Sequence, residues 1–161
     1  MKKVGVITFH NAHNYGAMLQ TYALQKSISK LGCEPYVINY NNDRIDRQYN
    51  NKKLFLRLLK KPVKNLKKII SFIFFIKKNI IREKKFNNFF VNNFNLTKYY
   101  PSEIELKKDF PKLDFYITGS DQVWNTDIVG DLEDAYTLNF GDDRIKRISY
   151  AASIGNSEIE S

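Results

Sequence analysis

Val4-Gly-Val-Ile-Thr-Phe9, the polar run His10–Gly16, then Ala17–Leu31 and Tyr36-Val-Ile-Asn-Tyr40 together decide the fold class. The first segment is an unbroken apolar run, the pattern of a strand buried on both faces of a parallel sheet. In the third segment Ala17, Leu24, Ile28 and Leu31 recur at helical spacing, and Gly32 supplies the C-terminal stop. The last segment is a second strand. Strand, helix and strand in such short order form a βαβ unit with a right-handed crossover. The expectation is an α/β domain, Rossmann-like and three-layered around a parallel sheet.

Asn41–Asn51 is polar and turn-like, and from Lys52 to about Phe94 the pattern becomes helical, a basic helical insertion over about 52–94. Pro62 stands where a helix can begin. Ile69, Ile73, Ile76 and Ile80 line one face, while Lys64, Lys67, Lys78, Arg82 and Lys85 line another. Phe86, Phe89, Phe90 and Phe94 extend an apolar stripe toward Leu96. Tyr99-Tyr-Pro-Ser102 reads as a turn and Glu103–Lys108 as a short helix. Leu113–Thr118 is a further buried strand. Asp127–Asp143 reads as an acidic loop, with six acids and no base, and Arg147–Ser153 as a strand ending in small residues. The length of 161 residues suits one domain over 1–161.

Composition narrows the classes. Hydrophobic residues make up 43% and charged residues 27%, with seven Gly and four Pro, so the chain is neither collagen-like nor low-complexity. The net charge is +9, but residues 51–86 hold 13 basic residues and one acid, and the remainder carries −3. A uniformly nucleic-acid-binding surface is excluded by that distribution, and no nucleic-acid partner is expected. One Cys and two His give neither a disulfide framework nor metal-ligand spacing, so no metal is expected and a reducing, cytoplasmic setting fits. The longest apolar run, Ile69–Ile76, is eight residues, against roughly 20 for a spanning helix. The basic segment has three readings: a solvated helical face, a helix lying on the inner membrane surface through residues 52–86, or a nucleic-acid contact. For the third, the Phe residues group on the apolar stripe and do not alternate with the cations as stacking platforms would.

Three polar clusters follow the C-terminal ends of expected strands, the edge where open α/β sheets bind ligands. In the first, Gly16 permits close backbone approach, the following helix presents free N–H groups, and Asn11, Asn14 and Gln20 suit hydroxyls. It matches neither GxGxxG nor a Walker A loop. An Asn14 cap over a packed Tyr15 is the structural alternative. His10 and His13 have the side chains for acid–base work, although no acid follows in the loop to orient them. In the second cluster, Gly119-Ser-Asp-Gln-Val-Trp-Asn125, Gly119 allows a tight turn and Ser120 or Asp121 can cap a helix. Gln122, Trp124 and Asn125 combine amides with a broad ring, a pairing that holds sugars, and Asp121 can serve as a base. The alternative makes Trp124 a core residue and Asp121 only a cap. The third cluster, Ser149-Tyr-Ala-Ala-Ser-Ile-Gly155, leaves room for a ligand or for close sheet packing.

Read together and in order, Ile7–Gln25, Asp114–Asn125 and Ile148–Gly155 resemble the polysaccharide pyruvyl transferase family. The resemblance implies transfer of a pyruvyl group from phosphoenolpyruvate, as donor substrate and with no cofactor, to a sugar or lipid-linked oligosaccharide acceptor. It also implies one half of a glycosyltransferase-B-like architecture. Asn14, Tyr15, Gly16 and Gln20 would then sit at the first strand-to-helix turn, facing the same cleft as Gly119, Ser120, Asp121, Gln122, Trp124 and Asn125. Asp121, His10 and His13 would be the groups that steer a hydroxyl proton. Family members are about twice as long, so the expectation is an N-terminal half that lacks its C-terminal domain and is inactive alone. A non-catalytic membrane-surface or interaction module of a biosynthetic complex is the alternative.

Overall fold

The computed structural model describes residues 1–45, 56, 59 and 62–155. Five strands form one parallel sheet: β1 (Lys3–Ile7), β2 (Glu34–Tyr40), β3 (Leu96–Tyr100), β4 (Phe115–Gly119) and β5 (Lys146–Tyr150), in the order β3-β2-β1-β4-β5. Helices among the described residues include α1 (Tyr15–Lys30), α2 (Pro62–Phe74), α3 (Ile76–Asn93), α4 (Glu103–Lys108) and the single turn α5 (Thr126–Val129). Residues 43–45, in the stretch expected to be turn-like, are helical too, and 46–51 lie outside the described residues. The expected α/β class and Rossmann-like layout are therefore present.

The chain runs outward from β1 through β2 to β3, then returns to lay β4 against the other side of β1. That reversal is a topological switch point, and it opens a crevice between the C-terminal ends of β1 and β4. One face of the sheet packs Val4 and Val6 under Leu24 and Ile28 of α1. The other buries Ile7, Ile38, Tyr40 and Tyr116 under Leu106, Tyr136 and Phe140. A central strand covered on both faces must be apolar throughout, which accounts for the uninterrupted run from Val4.

The helical stretch between β2 and β3 divides into two parts. The C-terminal half of α3 is the crossover helix itself, since Phe86 on it and Phe94 just after it are buried against Met18 and Val37. None of the described side chains of α2 is buried. Part of the expected insertion, residues 52–55, 57–58 and 60–61, lies outside the described residues.

Three expectations are corrected. Tyr99 and Tyr100, read as a turn, end the strand β3, in which only Tyr100 is fully buried. The strand is an edge, with a register shift between Val37 and Asn39, and Thr97 Oγ1 accepts the Asn39 N–H at 3.0 Å. So short and one-sided a strand shows no apolar run, and alternation over five residues is a weak signal. The acidic loop is in part ordered, with α5 capped by Asn125, whose Oδ1 accepts from Asp127 N–H at 3.0 Å. Finally β5 ends at Tyr150, because Ala151 takes a positive φ of 48°.

Candidate active site

At the reversal of strand order, the loops after β1, β4 and β5 meet. The last two are fastened by backbone hydrogen bonds that continue beyond the strands: Ser120 N–H to Tyr150 O (2.6 Å), Ser153 N–H to Asp121 O (3.1 Å) and Trp124 N–H to Ser153 O (3.2 Å). This close approach needs Gly119, whose φ is +117°. A Cβ there would run into the Tyr150 carbonyl oxygen and lie 2.9 Å from Ala152. Ser120 follows with φ 66°, so two residues at the rim, Ser120 and Ala151, hold left-handed backbone without being glycine. Strain of that kind costs about 1–3 kcal/mol per residue and persists where the surroundings impose it.

Between the β1 and β4 loops lies a cleft of about 280 Å³. Asn14, Gly16 and Gln20 form one wall, Ser120, Asp121 and Gln122 the other, and Phe9, Ala12, Ile45 and Ile128 supply apolar surface. Its size is close to the roughly 300 Å³ at which small-molecule sites begin, enough for one ring and not for a polymer. Asp121 is the one formal charge in this lining.

Asp121 is partly buried, and burial raises its pKa above the ordinary carboxylate value. Two hydrogen bonds oppose that: Oδ1 accepts from Gln122 N–H at 2.8 Å, and Oδ2 from Gln20 Nε2 at 3.4 Å. Gln20 Nε2 also donates to Thr8 Oγ1 at 2.9 Å. Among the described residues no donor reaches the buried Gln20 Oε1. Hydroxyls suit the open side of this site, since a hydroxyl can donate to the Asp121 carboxylate.

Asn14 is the α1 cap, its Oδ1 accepting from Gly16 N–H (2.8 Å) and Ala17 N–H (3.3 Å), and it lines the cleft as well. The cap and the place on the cleft wall thus coexist, though Tyr15 is not packed beneath the cap. Asn11 is half-buried in the same loop but outside the lining. Tyr15 is exposed and turns to Phe86, its ring 4.8 Å away.

The remaining expected site residues are not brought to the cleft. Only 1% of His10 is exposed. Its Nδ1 donates to Thr8 O at 3.1 Å, its Nε2 lies 3.2 Å from Asn39 Oδ1, and it stacks on Phe90. Desolvation lowers its pKa. His13 stacks on Phe86 at 5.4 Å, and its carbonyl accepts from Arg82. Trp124 packs against the main core and donates from Nε1 to Tyr136 O at 3.0 Å. Asn125 is buried and braces the loop by donating to Gln122 Oε1 at 2.9 Å. Gly119 acts through its backbone.

Sequence reading missed Thr8, the acceptor that orients Gln20, and the apolar contributors Ile45 and Ile128. It also missed a brace beside the cleft. Tyr40 OH donates to Glu133, and Asn42 Nδ2 donates to Glu133 Oε1 (3.0 Å) and Val129 O (3.2 Å). Burial raises the pKa of Glu133 as well. The brace ties the end of β2 to the 126–143 segment, and nothing local in the sequence pairs residues so far apart.

A family model for polysaccharide pyruvyl transferase matches residues 14–161. Among curated proteins and solved structures no match emerges. The matched span begins at Asn14, so His10, Asn11 and His13 precede it, whereas both walls of the cleft fall inside it. Covering nearly the whole chain, that match places it in the polysaccharide pyruvyl transferase family.

Proposed function

We propose that the chain forms the acceptor side of a pyruvyl transferase that uses phosphoenolpyruvate and a sugar of a cell-surface polysaccharide or its lipid-linked precursor, at the cytoplasmic side of the membrane. In that reaction one sugar hydroxyl adds to C2 of the enolpyruvyl group, and C3 takes up a proton. The bond from C2 to the phosphate oxygen breaks, and a second hydroxyl closes the ketal. One hydroxyl hydrogen is thus balanced on C3 and the other leaves with phosphate.

The observation that carries this reading is the pairing of Asp121 with Gln20 across a small, otherwise neutral cleft. A carboxylate whose pKa is raised toward neutrality is the better proton acceptor for a hydroxyl, and Gln20 holds its oxygen in place. Asn14 and Gln122 supply amides for the other sugar hydroxyls. The step places no proton transfer on His10, which is buried with both ring nitrogens engaged, nor on His13, which faces Phe86. A departing phosphate calls for cationic groups, and this lining offers none. In this reading they come from a second, glycosyltransferase-B-like half, and the chain alone binds acceptor without turnover.

Titrating the labelled chain with sugars and with phosphoenolpyruvate, and following side-chain amide signals by NMR, tests the assignment. Shifts of the Asn14, Gln20 and Gln122 amides by a sugar are expected. Shifts by phosphoenolpyruvate and by no sugar would overturn the acceptor-side assignment.

A further inference from the structure

The arm formed by α2 and the first half of α3 carries an apolar surface that is left exposed among the described residues. Phe75 alone joins the two helices into one arm: its N–H closes the last turn of α2 on Ser71 O (3.1 Å), and its carbonyl accepts from Asn79 N–H (2.9 Å) in the first turn of α3. Leu66, Ile70, Ile73 and Phe74 recur at helical spacing on α2, each more than half exposed, with Phe74 at 84%. On α3, Ile76, Ile80 and Ile81 are exposed apolar side chains as well. Large exposed apolar patches of this kind mark interaction surfaces.

The charge identifies the partner. Between residues 62 and 93 there are eight Lys or Arg and one acid, Glu83, while the chain outside 51–86 carries −3. A second copy of the arm would bring two strongly cationic arms together, which Coulomb repulsion opposes. An anionic bilayer accepts both features at once. Isoleucine and phenylalanine enter the headgroup boundary, lysine stems extend along it, and the ammonium groups meet phosphates. No described helix is long and apolar enough to cross a membrane. We propose that this arm lies in the interfacial layer of an anionic membrane, apolar side chains inward, and holds the chain there.

The arm is also tied to the cleft. Arg82 donates to the His13 carbonyl at 2.9 Å and lies over the Phe86 ring, which stacks on His13 and contacts Tyr15. Docking therefore holds the β1–α1 loop, one wall of the cleft, beside the bilayer surface. The inference rests on the arm alone and stands whichever reaction the cleft performs.

Co-sedimentation of the whole chain with phosphatidylcholine vesicles, with and without phosphatidylglycerol, tests it. Binding is expected only with phosphatidylglycerol, and added salt weakens it. Replacing Lys77 and Lys78 by Ala should weaken partitioning about fivefold for each charge, or about 25-fold together. Replacing Ile73 and Phe74 by Ser should abolish it. These side chains are exposed, so both variants keep the parent melting temperature. Equal binding to neutral vesicles, no binding at all, or indifference to the lysine changes would overturn the proposal. So would a dimer of the free chain that the Ile73/Phe74 variant dissociates, which would assign the face to a second copy.

Discussion

Gln20 Nε2 lies 3.4 Å from Asp121 Oδ2, a contact across the cleft between residues 101 positions apart in the chain. It joins the first turns of α1 to the loop after β4, the two segments brought together by the return of the chain beside β1. Its polarity is specific. The amide N–H stabilises the ionised carboxylate while burial works against it, and burial is the larger effect. The loop therefore holds a carboxylate at an energetic cost, which makes Asp121 a candidate acid or base.

Replacing Asp121 by Asn should raise stability at neutral pH. A carboxyl whose folded-state pKa lies above its unfolded value contributes most below the unfolded value, and that contribution is lost as pH rises through the folded one. The advantage of Asn is thus expected at neutral pH and should vanish in acid, as urea titrations across the pH range would show. In an assembled, active transferase the same change should lower kcat by about 10²–10⁴-fold, and an unchanged rate would remove Asp121 from the chemistry.

Gly119→Ala should cost about 3 kcal/mol, since the left-handed backbone and the contact with the Tyr150 carbonyl act together. Gly32→Ala is the control. Gly32 also has positive φ, but a Cβ there meets open space, so about 1 kcal/mol is expected. Equal losses in urea denaturation would mean that the β4–β5 loop contact is not tight.

His10 makes stability depend on pH with the opposite sign to Asp121. Burial lowers its pKa below 6.5, so the unfolded chain takes up the proton first. Its contribution is complete above pH 6.5 and declines as pH falls from there toward the folded-state value. His10→Gln should flatten that decline and cost about 1–3 kcal/mol through disturbed hydrogen bonds to Thr8 and Asn39. Thermal melts at stepped pH values supply the comparison.

Tyr40→Phe removes the hydroxyl donor from Glu133 and leaves a partly buried carboxylate with one bond fewer. A loss of about 1–3 kcal/mol is expected. Hydrogen exchange should rise chiefly in residues 126–143, the segment that this brace ties to β2. Uniform change across the sheet would show that the brace is not local.

The elements legible in the sequence were those with strong periodic signals. The buried runs at Val4 and Leu113 are strands, Ala17–Leu31 is a helix to within two residues, and Glu103–Lys108 is a helix as read. β3 was not legible, because its position is decided by pairing with β2 and not by an apolar run of its own. The cleft was legible as three polar segments, yet their side chains were not separable there. Trp124 and Gln122 are two residues apart in one loop, but one turns to Tyr136 in the core and the other lines the cleft. His10 and Asn14 diverge in the same way.

The sequence alone thus determined the α/β class, the family-like order of motifs and the confinement of positive charge to one helical stretch. Local patterns suffice for those, since each is written in neighbouring residues. Only the tertiary structure decided that Gln20 meets Asp121, that His10 is sequestered, and that the apolar face of the basic arm is exposed among the described residues. Each of these depends on which distant segments share a sheet edge or a core, and strand order, not local propensity, sets that.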